Sequence, residues 1–445
     1  MSKIIKLCKG LDIRLQGEAA KTIVDAPKAS EYAVSPLDFE GVTPKMLVKV
    51  GDKVEAGSPL FFDKKRPEIL FTSPVSGEVA AVNRGEKRKI LSVVVAADAE
   101  IAYKQFSSLD LVKASREQII DLLLESGLWT MFIQRPYGVV ANPSDKPKAI
   151  FVSAFDTAPL APDYYFALNA KRGALAKGFE VLRRLTDGKV HLGVDAKKGG
   201  FTGEPNQHWF EGKHPAGNVG VQIHHIDPIN KGEKVWTLNI QDVAIIGRFF
   251  LTGKVDMERV IAVAGACVAE PKYYRVVAGA SIESILGGKL SNEHARVISG
   301  NVLTGRNVGK EGFLGVNANM LSVIPEGDEY ELLGWAMPRF KKFSVSRAYF
   351  SWLMPWKKYN LDTNLNGGER AFVMNDLYEK YLPMDIYPVH LVKACLAGDL
   401  DKMENLGIYE VVEEDLALCE FVCPSKIEIQ QILRNGINTM IKEEE

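Results

Sequence analysis

The chain has 445 residues, 46% hydrophobic and 25% charged, with a formal net charge of −1. This is an ordinary globular composition, too long for one core, so about two to four domains are expected. The near-neutral balance gives no basic face, so no nucleic-acid partner is expected. Five scattered cysteines (Cys8, Cys267, Cys395, Cys419, Cys423) do not make a disulfide framework, which fits a reducing cytoplasm. The N-terminus MSKIIKLCKGLDIRLQG has no signal-peptide pattern, and no segment reaches the roughly 18 apolar residues of a membrane span. The chain is expected not to cross a membrane alone, while a membrane partner stays open.

Residues 34–97 read as all-β. MLVKVGDKVEAGSPL (46–60) alternates apolar and polar residues around Gly51-Asp52 and Ala56-Gly57 turns, and SPVSGEV (73–79) repeats that logic. This text resembles the flattened barrel of biotinyl and lipoyl domains. A carrier of that type needs a lysine on the hairpin Asp63-Lys64-Lys65-Arg66. The lysine position falls at Arg66 or, with a one-residue gap, Lys65; Arg66 cannot be acylated and Pro67 alters the turn. The barrel is read as a structural arm with a charged hairpin, with acylation of Lys64 or Lys65 as the weaker alternative.

Ser115 and Gln118 form a capping-box pattern before the apolar run Ile119 to Leu124, with Gly127 as a stop. A strand is expected at 149–154, followed by the loop FDTAPLAPD. A helix comes next, with Leu168, Leu175, Phe179, Leu182 and Leu185 on one face, then a strand at 189–194. Strand, crossover helix, strand is a βαβ unit with a parallel sheet. Residues 195–220 read as a long loop, and His224-His225 as strand residues facing opposite ways. That geometry argues against both binding one ion, so no metal site is expected. Residues 258–290 read as a small β-grasp unit. Beyond Pro325 a mostly helical region is expected, with an aromatic segment at 335–360 that includes Trp352 and Trp356.

The tail carries CEFVCP (419–424), the closing half of a C-x-x-C-x-x-C-x-x-x-C-P ferredoxin ligand run. Its earlier ligand positions hold Glu413 and Leu416, so four thiolates are not present. FVMNDLYEKYLP (372–383) fits the same pattern, with Phe372, Asn375, Tyr378 and Leu382 at the ligand positions and Pro383 kept. The following P-x-x-I-x-P-x-x-L (Pro383, Ile386, Pro388, Leu391) continues the ferredoxin text.

Taken together, the order of parts resembles two redox proteins, the flavin subunit of complex I and the C subunit of the Rnf complex. The whole chain resembles most closely the A subunits of the sodium-translocating NADH:quinone oxidoreductases. HPAGNVGVQIHHIDP (214–228), APLAPD (158–163), GERAFVM (368–374) and ALCEFVCP (417–424) carry that resemblance. So does the β-grasp text from Ile261 to Leu286. The resemblance implies an α/β multidomain chain: a barrel-sandwich hybrid (1–100), a Rossmann-like α/β domain (101–256), a β-grasp module of the soluble-ligand-binding type (257–325) and a helical, vestigial ferredoxin-like domain (326–445). It also implies a peripheral subunit on the cytoplasmic face of the bacterial inner membrane, partnered by membrane and flavin-bearing subunits.

The relatives' glycine-rich flavin loop corresponds here to ESGLWTMFIQRPYG (125–138), where Trp129 and Phe132 obstruct the backbone–phosphate approach. The chain is therefore expected to bind neither FMN nor an iron–sulfur cluster. Cys419 and Cys423 are expected to be free, buried thiols. Ubiquinone is the remaining candidate ligand, as a substrate in the emptied flavin cleft. By fold analogy Tyr137, Phe155, Asp156, His214 and His225 lie near that cleft, although packing is an equal alternative for each. The competing reading is a free-standing flavin or iron–sulfur oxidoreductase of the Rnf C-subunit type. The aromatic segment is expected to dock on a membrane partner, or to pack the tail onto the β-grasp unit.

Overall fold

The structure, a computed structural model, describes residues 4–201, 206–329, 331–334, 337 and 339–444. Two strands of the N-terminal part lie outside the barrel sheets. Strand β1 (Ile4–Lys6) and strand β2 (Ala20–Asp25) each leave to pair elsewhere. The barrel itself comprises β3 (Glu31–Val34), β4 (Pro44–Met46), β5 (Lys53–Val54), β6 (Pro59–Asp63), β7 (Leu70–Thr72), β8 (Gly77–Arg84) and β9 (Ile90–Ala97). Sheet β3-β9-β8-β5 faces the smaller sheet β4-β6-β7. Alternation puts Leu60, Phe71, Val79, Val93 and Val95 between them, with Phe61 stacked on Phe71 at 4.7 Å. The charged hairpin is not a free arm. Asp63 is buried under its own turn, and Arg66 Nη1 donates to the Val140 carbonyl at 2.7 Å.

Helix α1 (Arg116–Glu125) starts at the expected capping box: Ser115 Oγ accepts from Gln118 N–H, and Gln118 Oε1 accepts from Ser115 N–H. Strands β10 (Ile133–Arg135), β11 (Val139–Val140) and β12 (Ala149–Ser153) follow. Then come α2 (Tyr164–Ala167), α3 (Arg172–Leu185), β13 (Lys189–Asp195), β14 (Gln207–Glu211), α4 (Val219–Ile226), β15 (Val235–Asn239) and α5 (Ile240–Thr252). The sheet order is β1-β14-β13-β12-β15-β10-β11. It is parallel from β1 through β15 and antiparallel beyond.

Two expectations in this region need correction. The supposed loop 195–220 contains β14, which is sandwiched between β1 and β13. Residues 219–226 form a helix, so His224 and His225 are helical. The alternation of Val221 and Ile223 imitates a strand. The governing spacing is Val219, Ile223 and Ile226, an i, i+4, i+7 stripe packed on Phe151 and Val235.

A second sheet, order β19-β18-β20-β16-β17-β2, uses β16 (Glu258–Ala264), β17 (Lys272–Val277), β18 (Ala295–Ser299), β19 (Arg306–Asn307) and β20 (Met320–Pro325). Helix α6 (Ile282–Leu286) lies between β17 and β18. The mostly helical tail begins later than expected. Among the described residues, 326–387 hold no α-helix, and Phe350–Leu353 and Tyr378–Lys380 are short turns. No apolar 3.6-residue period runs through this stretch, and Pro355 and Pro383 interrupt it. Helices α7 (Pro388–Ala397), α8 (Leu400–Asn405), α9 (Glu413–Val422) and α10 (Ile429–Glu444) then form one core with Tyr378, Leu382 and Met384.

Candidate functional site

From β12 the chain moves to β13 on one side of the sheet and later returns to β15 on the other. The gap beyond the carboxyl ends of β12 and β15 is therefore a topological switch point, where open α/β sheets hold ligands. A cleft of about 590 Å³ opens there, lined by Ser153 at the end of β12 and Asn239 at the end of β15. All four parts of the chain contribute to it: Asp38 from the barrel, Ser299 and Met320 from the second sheet, and Glu413, Glu414 and Arg434 from the tail. Met131, Ile133, Leu238 and Met320 supply apolar lining, while Asp156, His214, Arg135 and Glu414 supply polar groups.

Phe155, Asp156 and His214 all line this cleft, whereas Tyr137 and His225 do not. The hydroxyl of Tyr137 meets Glu444 of α10, and its carbonyl accepts from Arg434 Nη1 at 2.8 Å. His225 Nε2 contacts the Pro383 carbonyl at 2.9 Å, and the neighbouring His224 Nδ1 lies 2.7 Å from Glu410 Oε2. Both histidines fasten α4 to the tail. No cluster of three or more metal-ligating side chains exists among the described residues.

Asp156 turns back on its own loop, Oδ1 accepting from Ala158 N–H at 2.8 Å, and burial raises its pKa. Burial pushes His214 down to about 4, so its ring is neutral near pH 7. Thr157 Oγ1 lies 3.2 Å from His214 Nδ1 and accepts from Gly217 N–H at 2.9 Å. A Cβ on Gly217 would stand 2.6 Å from Thr157 N, so glycine permits this loop contact.

The cleft's far wall is an ion network that the sequence did not announce. Arg135, 3% exposed, donates through Nη1 to Asp415 Oδ2 at 2.6 Å and through Nη2 to Glu414. Asp415 is wholly buried, and its Oδ2 also accepts from Val412 N–H at 3.0 Å at the start of α9. Glu414 is part-exposed to the cleft; desolvation and then the nearby Asp415 and Asp156 raise its pKa, against the pull of Arg135. Arg434 pairs with Glu413, Nη2 to Oε2 at 2.6 Å. Gly220 of α4 abuts the first pair: a Cβ there would lie 2.5 Å from Asp415 Oδ1. Arg135 and Asp415 are 280 residues apart, and no spacing rule joins them.

Of the eight positions that fit the ferredoxin pattern, Tyr378, Leu382, Leu416, Cys419 and Cys423 are buried. Tyr378 donates its hydroxyl to Cys423 Sγ at 2.9 Å, and Phe372 stacks on Tyr378 with ring centroids 6.2 Å apart. Cys419 and Cys423 are free and buried, beside buried Leu382 and Leu416. Burial raises the pKa of Cys419. Glu413 lies on the cleft wall, and Asn375 Oδ1 accepts from Leu377 N–H at 2.9 Å.

A barrel, a mixed α/β sheet with a switch-point cleft, a second sheet and a helical tail define a multidomain α/β protein. Family models match three of these parts. The NqrA N-terminal barrel-sandwich hybrid domain covers residues 5–98, the NqrA second alpha/beta domain 114–255, and the NQRA C-terminal domain 260–310. The A subunit of the Na(+)-translocating NADH-quinone reductase from Cellvibrio japonicus is 42% identical over 99% of this chain and 100% of its own length. The proteins of the same name from Hahella chejuensis and Yersinia pestis are 41% and 42% identical at the same coverage. The chain belongs to this family, the A subunits of sodium-translocating NADH:quinone reductases. No helix among the described residues is long and apolar enough to cross a membrane.

Proposed function

We propose that this chain is a peripheral subunit on the cytoplasmic face of its complex, that it carries no flavin or iron–sulfur centre of its own, and that it binds ubiquinone in the switch-point cleft. As a family member it is a subunit of a sodium-translocating NADH:quinone reductase, an oxidoreductase and translocase, and so has other subunits for partners. The observation that carries the quinone reading is the convergence of Phe155, Asp156 and His214 on one 590 Å³ cleft. A quinone presents apolar ring faces and two carbonyl acceptors. The Met131, Ile133 and Met320 lining suits the ring, and a neutral His214 suits a carbonyl. Glu414, its pKa raised by desolvation, lines the same cleft.

The absence of FMN is argued from space. The Rossmann-like domain's first loop is filled by Trp129, which is fully buried, stacks on Phe132 at 5.0 Å and donates Nε1–H to the Ala141 carbonyl at 2.8 Å. Backbone N–H groups cannot approach a phosphate through that core. The vestigial ferredoxin reading is supported by the Tyr378–Cys423 contact. In two-cluster ferredoxins the last ligand of one run serves the cluster of the other run. Tyr378 and Cys423 are the third position of the first run and the last of the second.

Flavin, iron and sulfide assays on the purified chain, followed by titration with a short-chain ubiquinone, test the proposal. Stoichiometric flavin or iron would favour the free-standing oxidoreductase instead.

A further inference from the structure

Residues 332–361 contain no acidic residue, while 339–358 hold six cations: Arg339, Lys341, Lys342, Arg347, Lys357 and Lys358. Large apolar side chains from the same stretch stand in water, Trp352 at 51% and Trp356 at 75% exposure, with Phe340 and Leu353 also exposed. Trp335 lies outside the described residues. The segment has an inner side that holds it to the body. Phe343 lies against Phe421 of α9, ring centroids 6.3 Å apart, and edge-on to buried Tyr359 at 5.8 Å, whose N–H donates to the Arg14 carbonyl at 2.8 Å. Its outer side carries aromatic rings interleaved with cations. Phe340 stacks on Phe350 at 4.9 Å, Lys357 Nζ donates to the Phe340 carbonyl at 2.6 Å, and Arg347 lies over the Trp352 ring at 5.5 Å. The inner contacts join the stretch to α9 and to the chain near Arg14, and the two tryptophans take no part in them.

Arg339 and Lys342 share Glu331, and Lys358 pairs with Glu18. With both acids counted, the patch keeps a clear positive excess.

The charge decides between occupants. Protein interface cores are enriched in Trp but depleted in Lys. Lys and Arg interleaved with exposed Trp and Phe match a bilayer surface, where aromatic rings sit at headgroup level and cations meet anionic lipid. We propose that segment 339–358 rests on an anionic phospholipid surface, with Trp352 and Trp356 entering the headgroup layer and Lys341, Arg347 and Lys357 facing the phosphates. The proposal does not depend on quinone binding.

The test is co-sedimentation of the purified full-length chain with phosphatidylglycerol-rich vesicles, beside pure phosphatidylcholine vesicles. Binding to the anionic vesicles alone is expected, and it should weaken with added salt. Lys341→Gln with Arg347→Gln should weaken binding by about fivefold per cation removed. Trp352→Ala with Trp356→Ala should abolish it, and both variants should keep the parent Tm because these side chains are exposed. No binding to anionic vesicles, equal binding to both vesicle types, or full binding by folded variants would each overturn the proposal. So would binding that appears only on membranes carrying the other subunits, which would assign the patch to a protein partner.

Discussion

Arg135→Met tests how the tail is fastened over the cleft. Arg135 projects from β10 and meets Asp415 and Glu414 of α9, with Arg135 and Asp415 3% and 0% exposed. Methionine fills most of the arginine stem but removes the only cation bonded to Asp415 among the described contacts. Asp415 Oδ2 would keep the Val412 N–H, while Oδ1 already has no hydrogen-bond partner. Stranding one member of a buried pair costs about 3–5 kcal/mol, a large part of a domain's roughly 5–15 kcal/mol stability. The loss falls on the seam between sheet and tail. Thermal unfolding should therefore show an early transition several degrees below the parent, and limited proteolysis should release the segment from α9 onward. Arg135→Met with Asp415→Leu should recover most of the loss, because the desolvation penalty disappears with both charges. A single variant that costs less than about 1 kcal/mol, or a double variant no better than the single, would refute the reasoning.

The remaining predictions concern the cleft, the filled loop and the former cluster positions. His214 is held near 4 against an ordinary value of about 6.5, so the unfolded chain binds the extra proton. Stability from this group is complete above pH 6.5 and lost as pH falls to 4, by about 3 kcal/mol. Asp156, Asp242 and Glu414 are shifted up and act in the opposite sense, so the readout is the difference between parent and His214→Gln melting curves across pH. An unchanged difference would exclude a neutral His214. Trp129→Ala should cost about 3–5 kcal/mol by leaving a cavity, and the variant should still take up no FMN. Uptake of FMN by the parent chain would contradict the filled-loop argument. Phe372→Cys, Asn375→Cys and Tyr378→Cys together should rebuild a four-thiolate set with Cys423, read as iron and sulfide retained after anaerobic reconstitution. A folded variant without iron would sink the vestigial reading.

Much of the fold was legible because local signals agreed with the tertiary result. The Ser115 capping box, the Leu175, Phe179, Leu182 and Leu185 face of α3, and strands β12 and β13 all follow from short-range rules. What failed was long-range. Strand β1 is short and pairs with β14 some 200 residues on, and β2 joins a sheet some 250 residues away. Helix α4 is buried on two sides, so its apolar residues carry two periods at once and the strand-like one misled. In the site, Phe155, Asp156 and His214 sit on loops after sheet elements, where an α/β fold makes a cleft predictable. The Arg135–Asp415–Glu414 network had no sequence signal beyond an unusual acidic triplet at the start of α9.

The central claim is that the switch-point cleft binds a quinone without any flavin or cluster in this chain. Isothermal titration of the isolated protein with a short-chain ubiquinone tests it most directly, with His214→Ala and Asp156→Ala beside the parent. The account predicts one saturable site in the parent, weakened by each substitution while the fold is retained. No heat of binding, or binding that both substitutions leave untouched, would contradict it.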